Sequence, residues 1–205
     1  MNPIFPQHGT LLFLLSAAWL LSACSLAPVK EDLPGHAANP GDITHWQITG
    51  KIAYRSPEKN SSARLRWKQE HGQFNIGLSG PLGQGVVKIS GTPQEALIEI
   101  AGQEDYYTSE PEHTLIEQIG IDIPLHALPH WILGIPAPHQ VSLSQRDATG
   151  RNISIEQAGW NLEYSKYQLV NRFWLPGKIS IRKRDKMLLL VINHWLVPNN
   201  SAPFR

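Results

Sequence analysis

Trp46-Gln47-Ile48-Thr49-Gly50-Lys51-Ile52-Ala53-Tyr54 alternates bulky apolar residues with polar or small ones along its whole length. A period of two puts Trp46, Ile48, Ile52 and Tyr54 on one side of an extended chain, which is the pattern of a strand with one covered face. The pattern repeats downstream. Ala63, Leu65 and Trp67 interleave with Arg64, Arg66 and Lys68, and beyond a turn at His71-Gly72 the residues Phe74, Ile76 and Leu78 interleave with Gln73, Asn75 and Gly77. These runs are joined by short turns, whereas a parallel crossover needs a dozen or more residues, so they predict an antiparallel meander.

Further strands are predicted at 86–90, 96–100, 141–145, 152–156, 160–166, 178–182 and 186–195, about ten or eleven in all. One interruption is helical. Ser109 with Glu112 three residues later forms a capping box, Leu115, Ile116 and Ile119 share a helical face, and Gly120 ends it. Pro124 opens a second short helix carrying Leu125, Leu128, Trp131 and Ile132, stopped by Gly134 and Pro136, with Pro129 set against its continuity. Strand twist curls a sheet this wide. The expected fold is therefore mainly β, an open, incomplete antiparallel barrel with a short helical lid enclosing an apolar cavity.

Upstream of the strands, the apolar run 11–20 is followed by Leu21-Ser22-Ala23-Cys24. This order resembles a bacterial lipobox: residues 1–23 are a lipoprotein leader, and Cys24 becomes the acylated first residue of the mature chain. The run is too short to be a membrane span, and Pro6 and His8 break its continuation to Ile4 and Phe5 upstream. Acylation also accounts for an unpaired cysteine in an exported chain. Residues 24–44, with Pro28, Pro34, Gly35, Pro40 and Gly41, read as a flexible tether spanning on the order of 25 Å. Residues 45–197 form the single domain, and 198–205 a polar tail.

A formal charge of +1 supplies no long-range pull toward nucleic acid. The glycines of Gly80-Pro81-Leu82-Gly83-Gln84-Gly85 precede a strand where a phosphate-binding loop requires a helix. His126 and His130 have the spacing of zinc ligands, yet no third ligand accompanies them, so no metal is expected. No nucleophile elbow or paired carboxylates appear, and the chain is read as a non-enzyme without cofactors other than the N-acyl and S-diacylglycerol lipid on Cys24.

What remains is the apolar face. A barrel of more than about eight strands is too wide for its own side chains to fill, so this face is expected to line a space suited to lipid. The candidates are Ile52, Leu65, Trp67, Phe74, Leu78, Trp160, Tyr164 and Leu190, with Trp131 from the helical insertion. Leu82 stands apart. It occupies the tip of a connection, where polar residues are usual, and on a membrane-tethered protein it becomes a candidate insertion point.

Five segments in order, behind the lipobox that ends in Cys24, resemble the LolB family of outer-membrane lipoprotein receptors: 49–54 (TGKIAY), 80–83 (GPLG), 131–136 (WILGIP), 159–164 (GWNLEY) and 193–195 (NHW). The resemblance implies a monomer anchored in the outer membrane and facing the periplasm. It would accept acylated lipoproteins from the periplasmic carrier LolA, which shares the fold, and place them in the inner leaflet without nucleotide hydrolysis. Two other readings stay open. One is a structural or assembly lipoprotein with a filled core that binds protein partners only; the other is a lipid-acting hydrolase.

Overall fold

The structure, a computed structural model, describes residues 38–198. Cys24, the leader, most of the tether and the tail beyond 198 lie outside the described residues. After a short 3-10 turn, Pro40–Asp42, whose Gly41 N–H is accepted by Asn39 Oδ1, the chain enters the sheet. It forms β1 (His45–Arg55), β2 (Asn60–Glu70), β3 (Gln73–Ser79), β4 (Val87–Gly91), β5 (Ala96–Ile100) and β6 (Tyr106–Thr108). The helices α1 (Pro111–Ile119) and α2 (Leu128–Ile132) follow, and then β7 (Ser142–Arg146), β8 (Asn152–Gln157) and β9 (Trp160–Ser165). A small hairpin, β10 (Gln168–Val170) with β11 (Phe173–Leu175), precedes β12 (Lys178–Lys183) and β13 (Lys186–Leu196).

Eleven strands make one antiparallel sheet in the order β6-β5-β4-β3-β2-β1-β13-β12-β9-β8-β7. It is open: β6 and β7 are its two edges and do not pair with each other. The two chain halves meet at its centre, where β1 pairs with β13. The segment that leaves one edge and returns at the other carries both helices. Leu115, Leu125, Leu128, Trp131 and Ile132 of that segment are buried in one apolar core with the strand residues Trp46, Ile48, Leu65, Phe74, Ile98, Leu162 and Ile179. The lid thus closes the side that the strands leave open.

Alternation survives across the centre because of a local irregularity. The register shifts between Thr49 and Gly50, so that Thr49 faces His194 while Gly50 faces Ile192. A side chain at Gly50 cannot fit there, since its Cβ would lie 2.1 Å from the Val191 carbonyl oxygen.

Three expectations are corrected. The capping box does not form: α1 begins at Pro111 with Glu110 as its N-cap and no side-chain cap, because proline with its fixed φ takes the first turn. Thr108 Oγ1 accepts the Glu110 N–H at 2.9 Å in its place. Pro129 interrupts nothing; it lies in the first turn of α2, where its missing N–H costs no bond, and residues 124–127 form a separate turn before it. The strands β6, β10 and β11, three residues each, were absent from the predicted set because so short a run shows no period.

All strand pairs and the apolar core lie within the compact unit Ala37–Arg205. A unit with its own complete core has what a domain needs to fold by itself.

Candidate functional site

The concave side of the sheet is mostly filled. Leu65, Trp67 and Phe74 are each 3% exposed, and Trp160, Tyr164 and Leu190 are equally deep. Trp67 belongs to a tryptophan cluster at one end of the sheet, its ring 5.4 Å from that of Trp46, which in turn stands 5.7 Å from Trp195. Trp131 packs 6.1 Å from Trp160.

Space remains at the other end. A cavity of about 320 Å³ is walled on the sheet side by Ile52, Tyr54, Leu78, Ile89 and Leu188, and on the lid side by Leu115, Ile119, Ile121 and Ile123. Of the nine candidates read from the sequence, Ile52 and Leu78 border it; Leu65, Trp67, Phe74, Trp131, Trp160, Tyr164 and Leu190 pack elsewhere in the core. Tyr54 carries the same alternation signal and was not singled out, while Leu188 shares the covered face of its strand with Leu190. Ile119 ends α1 and Ile121 and Ile123 follow it, and only the tertiary placement of that segment brings them to the space.

A pocket of roughly 150 Å³ holds one benzene, so 320 Å³ takes a short length of a single acyl chain with the lid as it stands. The lid is held unequally at its two ends. At α2, the Trp131 indole N–H and the Ala137 N–H both donate to Gln157 Oε1 at 2.8 Å, while Gln157 Nε2 donates to the Ala137 carbonyl at 2.8 Å. Gln157 is 2% exposed, so these bonds are sheltered from water. At the cavity end, α1 finishes at Gly120, whose φ of 62° suits the left-handed cap, with its N–H bonded to the Ile116 carbonyl. Beyond it, Lys59 Nζ donates to the Ile119 carbonyl at 2.5 Å and Lys186 Nζ to Asp122 Oδ2 at 2.6 Å. The Asp122 carboxylate raises the Lys186 pKa through that hydrogen bond.

The loop of Leu82 adjoins the same cavity. Gly80, Gln84 and Gly85 border the space, while Leu82 itself points away and is 85% exposed. Its presentation is built locally: the Gly83 N–H bonds to the Gly80 carbonyl at 3.0 Å and the Gly80 N–H to the Gln84 carbonyl at 2.8 Å. Pro81 and Leu82 occupy the two central positions of that turn, and proline in the first of them fixes the geometry.

The two histidines of zinc-like spacing have other partners. His126 Nδ1 lies 2.8 Å from Glu112 Oε1, tying the second turn of the lid to α1, and His130 is half-buried with its pKa lowered by burial first and by the neighbouring His126 second. Tyr164 is deeply buried and its hydroxyl has no hydrogen-bond partner among the described residues; burial raises its pKa well above the usual phenol value.

Comparison with known proteins places these features in a family. The profile described as "Outer membrane lipoprotein LolB" matches residues 44–195. The outer-membrane lipoprotein LolB of Pseudomonas aeruginosa is 37% identical over 194 residues, covering 90% of this chain and 95% of that protein. That of Pseudomonas syringae is 34% identical over 201 residues, covering 94% and 97%. Among solved structures, a LolA superfamily protein from Nitrosomonas europaea superposes with a TM-score of 0.52 over 78% of this chain and 88% of its own, at 9% identity, a likeness of fold alone. The chain, with its open antiparallel sheet and helical lid, belongs to the LolB family of outer-membrane lipoproteins.

Proposed function

We propose that the chain is an outer-membrane-anchored receptor that takes acylated lipoproteins from the periplasmic carrier LolA and passes them to the inner leaflet of the outer membrane. Cys24 is the anchor in this reading, carrying the N-acyl and S-diacylglycerol lipid, and residues 24–44 give the folded body its reach. The observation that carries it is the apolar cavity of about 320 Å³, walled on one side by the lightly held end of the lid and bordered by the loop of Leu82. Each methylene buried is worth about 0.8 kcal/mol, so three acyl chains cost on the order of tens of kcal/mol to expose, and passage from one cavity to another avoids that exposure. No nucleotide is needed for such a step. The cargo moves down a gradient of affinity that ends in the bilayer.

The filled aromatic face favours the second reading, a lipoprotein that binds protein partners through its surface only. One measurement separates them. The unit Ala37–Arg205 is expected to bind a fluorescent fatty acid that unlabelled acyl chains displace and to lose that capacity in Leu78→Glu, while Lys178→Gln on a distant strand retains it. A wild-type unit without affinity for acyl chains ends the receptor reading.

A further inference from the structure

The outer face of the same sheet carries a groove of about 650 Å³ across β1 to β4 that the transfer of acyl chains does not use. Its walls are basic. Lys51 stands directly opposite Arg64, and Arg66 is separated from Lys88 by Gly77, which is paired with both. Gly77 forms the floor: a Cβ there would meet only the Arg66 carbonyl oxygen, at 3.9 Å, so the absence of a side chain is not demanded by packing and leaves the channel between the two cations open. Lys88 has a partner in Glu99 at 3.3 Å. Lys51, Arg64 and Arg66 are exposed and make no ion pair among the described residues. Three uncompensated cations and one partly compensated one on a single face, in a chain of formal charge +1, form a concentrated positive patch.

The position of the groove indicates what it meets. Ser79 and Val86, the residues on either side of the Leu82 loop, line it. Arg64 pairs with Ser79 at the loop's base, and Arg66 is two residues, about 7 Å, further along the strand. An exposed leucine gains nothing from an acidic protein in water but is covered in a bilayer, where lipid phosphates lie just above the level its side chain reaches. We infer that the groove of Lys51, Arg64, Arg66 and Lys88 is a docking surface for the headgroups of anionic phospholipids, seating the protein with the Leu82 loop directed into the bilayer. This inference rests on the reading of Leu82 as a membrane-contacting residue.

The test is co-sedimentation of Ala37–Arg205 with vesicles of phosphatidylcholine alone or of equal parts phosphatidylcholine and phosphatidylglycerol. The wild-type unit is expected to prefer the anionic vesicles and to lose that preference as salt shortens the range of the charges. Each basic residue near such a surface is worth about fivefold in affinity, so Arg64→Gln with Arg66→Gln is expected to weaken binding to the anionic vesicles about twenty-five-fold without changing binding to the neutral ones. Arg64→Lys with Arg66→Lys keeps the charge and the affinity. Unchanged binding by the Gln pair, or a salt-independent wild type, overturns the inference. So does a Gln pair that loses affinity for polyglutamate while holding the vesicles, since the groove then belongs to an acidic protein. Leu82→Glu is expected to weaken binding to both kinds of vesicle; if it binds as wild type while the Gln pair still fails on anionic vesicles, the insertion role of Leu82 falls and the groove stands.

Discussion

Trp131 and Gln157 meet side chain to side chain in the core, the indole N–H donating to Oε1 at 2.8 Å, and this bond joins the lid to the end of β8. The same amide satisfies both backbone groups of Ala137. Gln157→Ala strands three buried polar groups. The expected loss is about 2–4 kcal/mol, read as a fall in the midpoint of thermal or urea unfolding.

The opposite end of the lid is expected to behave differently. Lys186 and Asp122 are partly exposed, at 33% and 41%, and a pair so placed contributes less than about 1 kcal/mol. Asp122→Asn should leave global unfolding almost unchanged and speed amide hydrogen exchange at residues 119–123 above all others. Uniform acceleration across the sheet would show that the pair supports the whole fold and not the lid alone.

His130 gives the lid a pH dependence of definite sign. Its folded pKa lies below the ordinary 6.5, so as pH falls through 6.5 the unfolded chain takes up the proton first. The stability is complete above 6.5 and declines as pH falls toward the folded value. His130→Gln should flatten that decline, which denaturant unfolding at a series of pH values measures directly.

Tyr164 is the reverse of Gln157, a buried hydroxyl without a partner among the described residues. Tyr164→Phe removes an unsatisfied group at constant shape and is expected to be neutral or to stabilise by about 1 kcal/mol. A loss of stability would reveal a partner for the hydroxyl that the static structure does not contain.

Leu82→Glu is expected to accept cargo from the carrier at the wild-type rate and to fail in delivering it to liposomes, because the side chain borders no part of the cavity. A leucine buried in lipid gains about 1.5–3 kcal/mol, and a carboxylate reverses that gain. The two transfers can be followed separately. Equal loss in both assigns Leu82 to the cargo site; normal delivery removes it from the membrane step.

Much of the sheet was legible because most of its strands alternate: wherever Trp46, Leu65, Phe74 or Leu162 faces inward, its neighbours are polar, and the period alone assigns the face. The extent of the cavity was not. Ile52 and Phe74 have the same parity and the same kind of side chain, and what separates a cavity wall from a packed core is where the lid lies, a matter of contacts between segments distant in sequence. Gln157 illustrates the same limit. In the sequence it is one polar residue at a strand end beside Ala158-Gly159, and its role exists only once Trp131, 26 residues away, is brought against it. The start of α1 failed for a local reason: two start signals, Ser109 and Pro111, compete within three residues, and the proline prevails.

The unpaired edges β6 and β7 have a mechanical consequence. In a closed barrel, strand number and stagger together determine the radius. A sheet that ends in two free margins has no such closure condition, and its curvature can relax without breaking a single ladder hydrogen bond. The wall opposite the lid can therefore widen while its strand pairing stays intact, and under the proposed function this freedom is what lets a narrow space admit wider acyl chains.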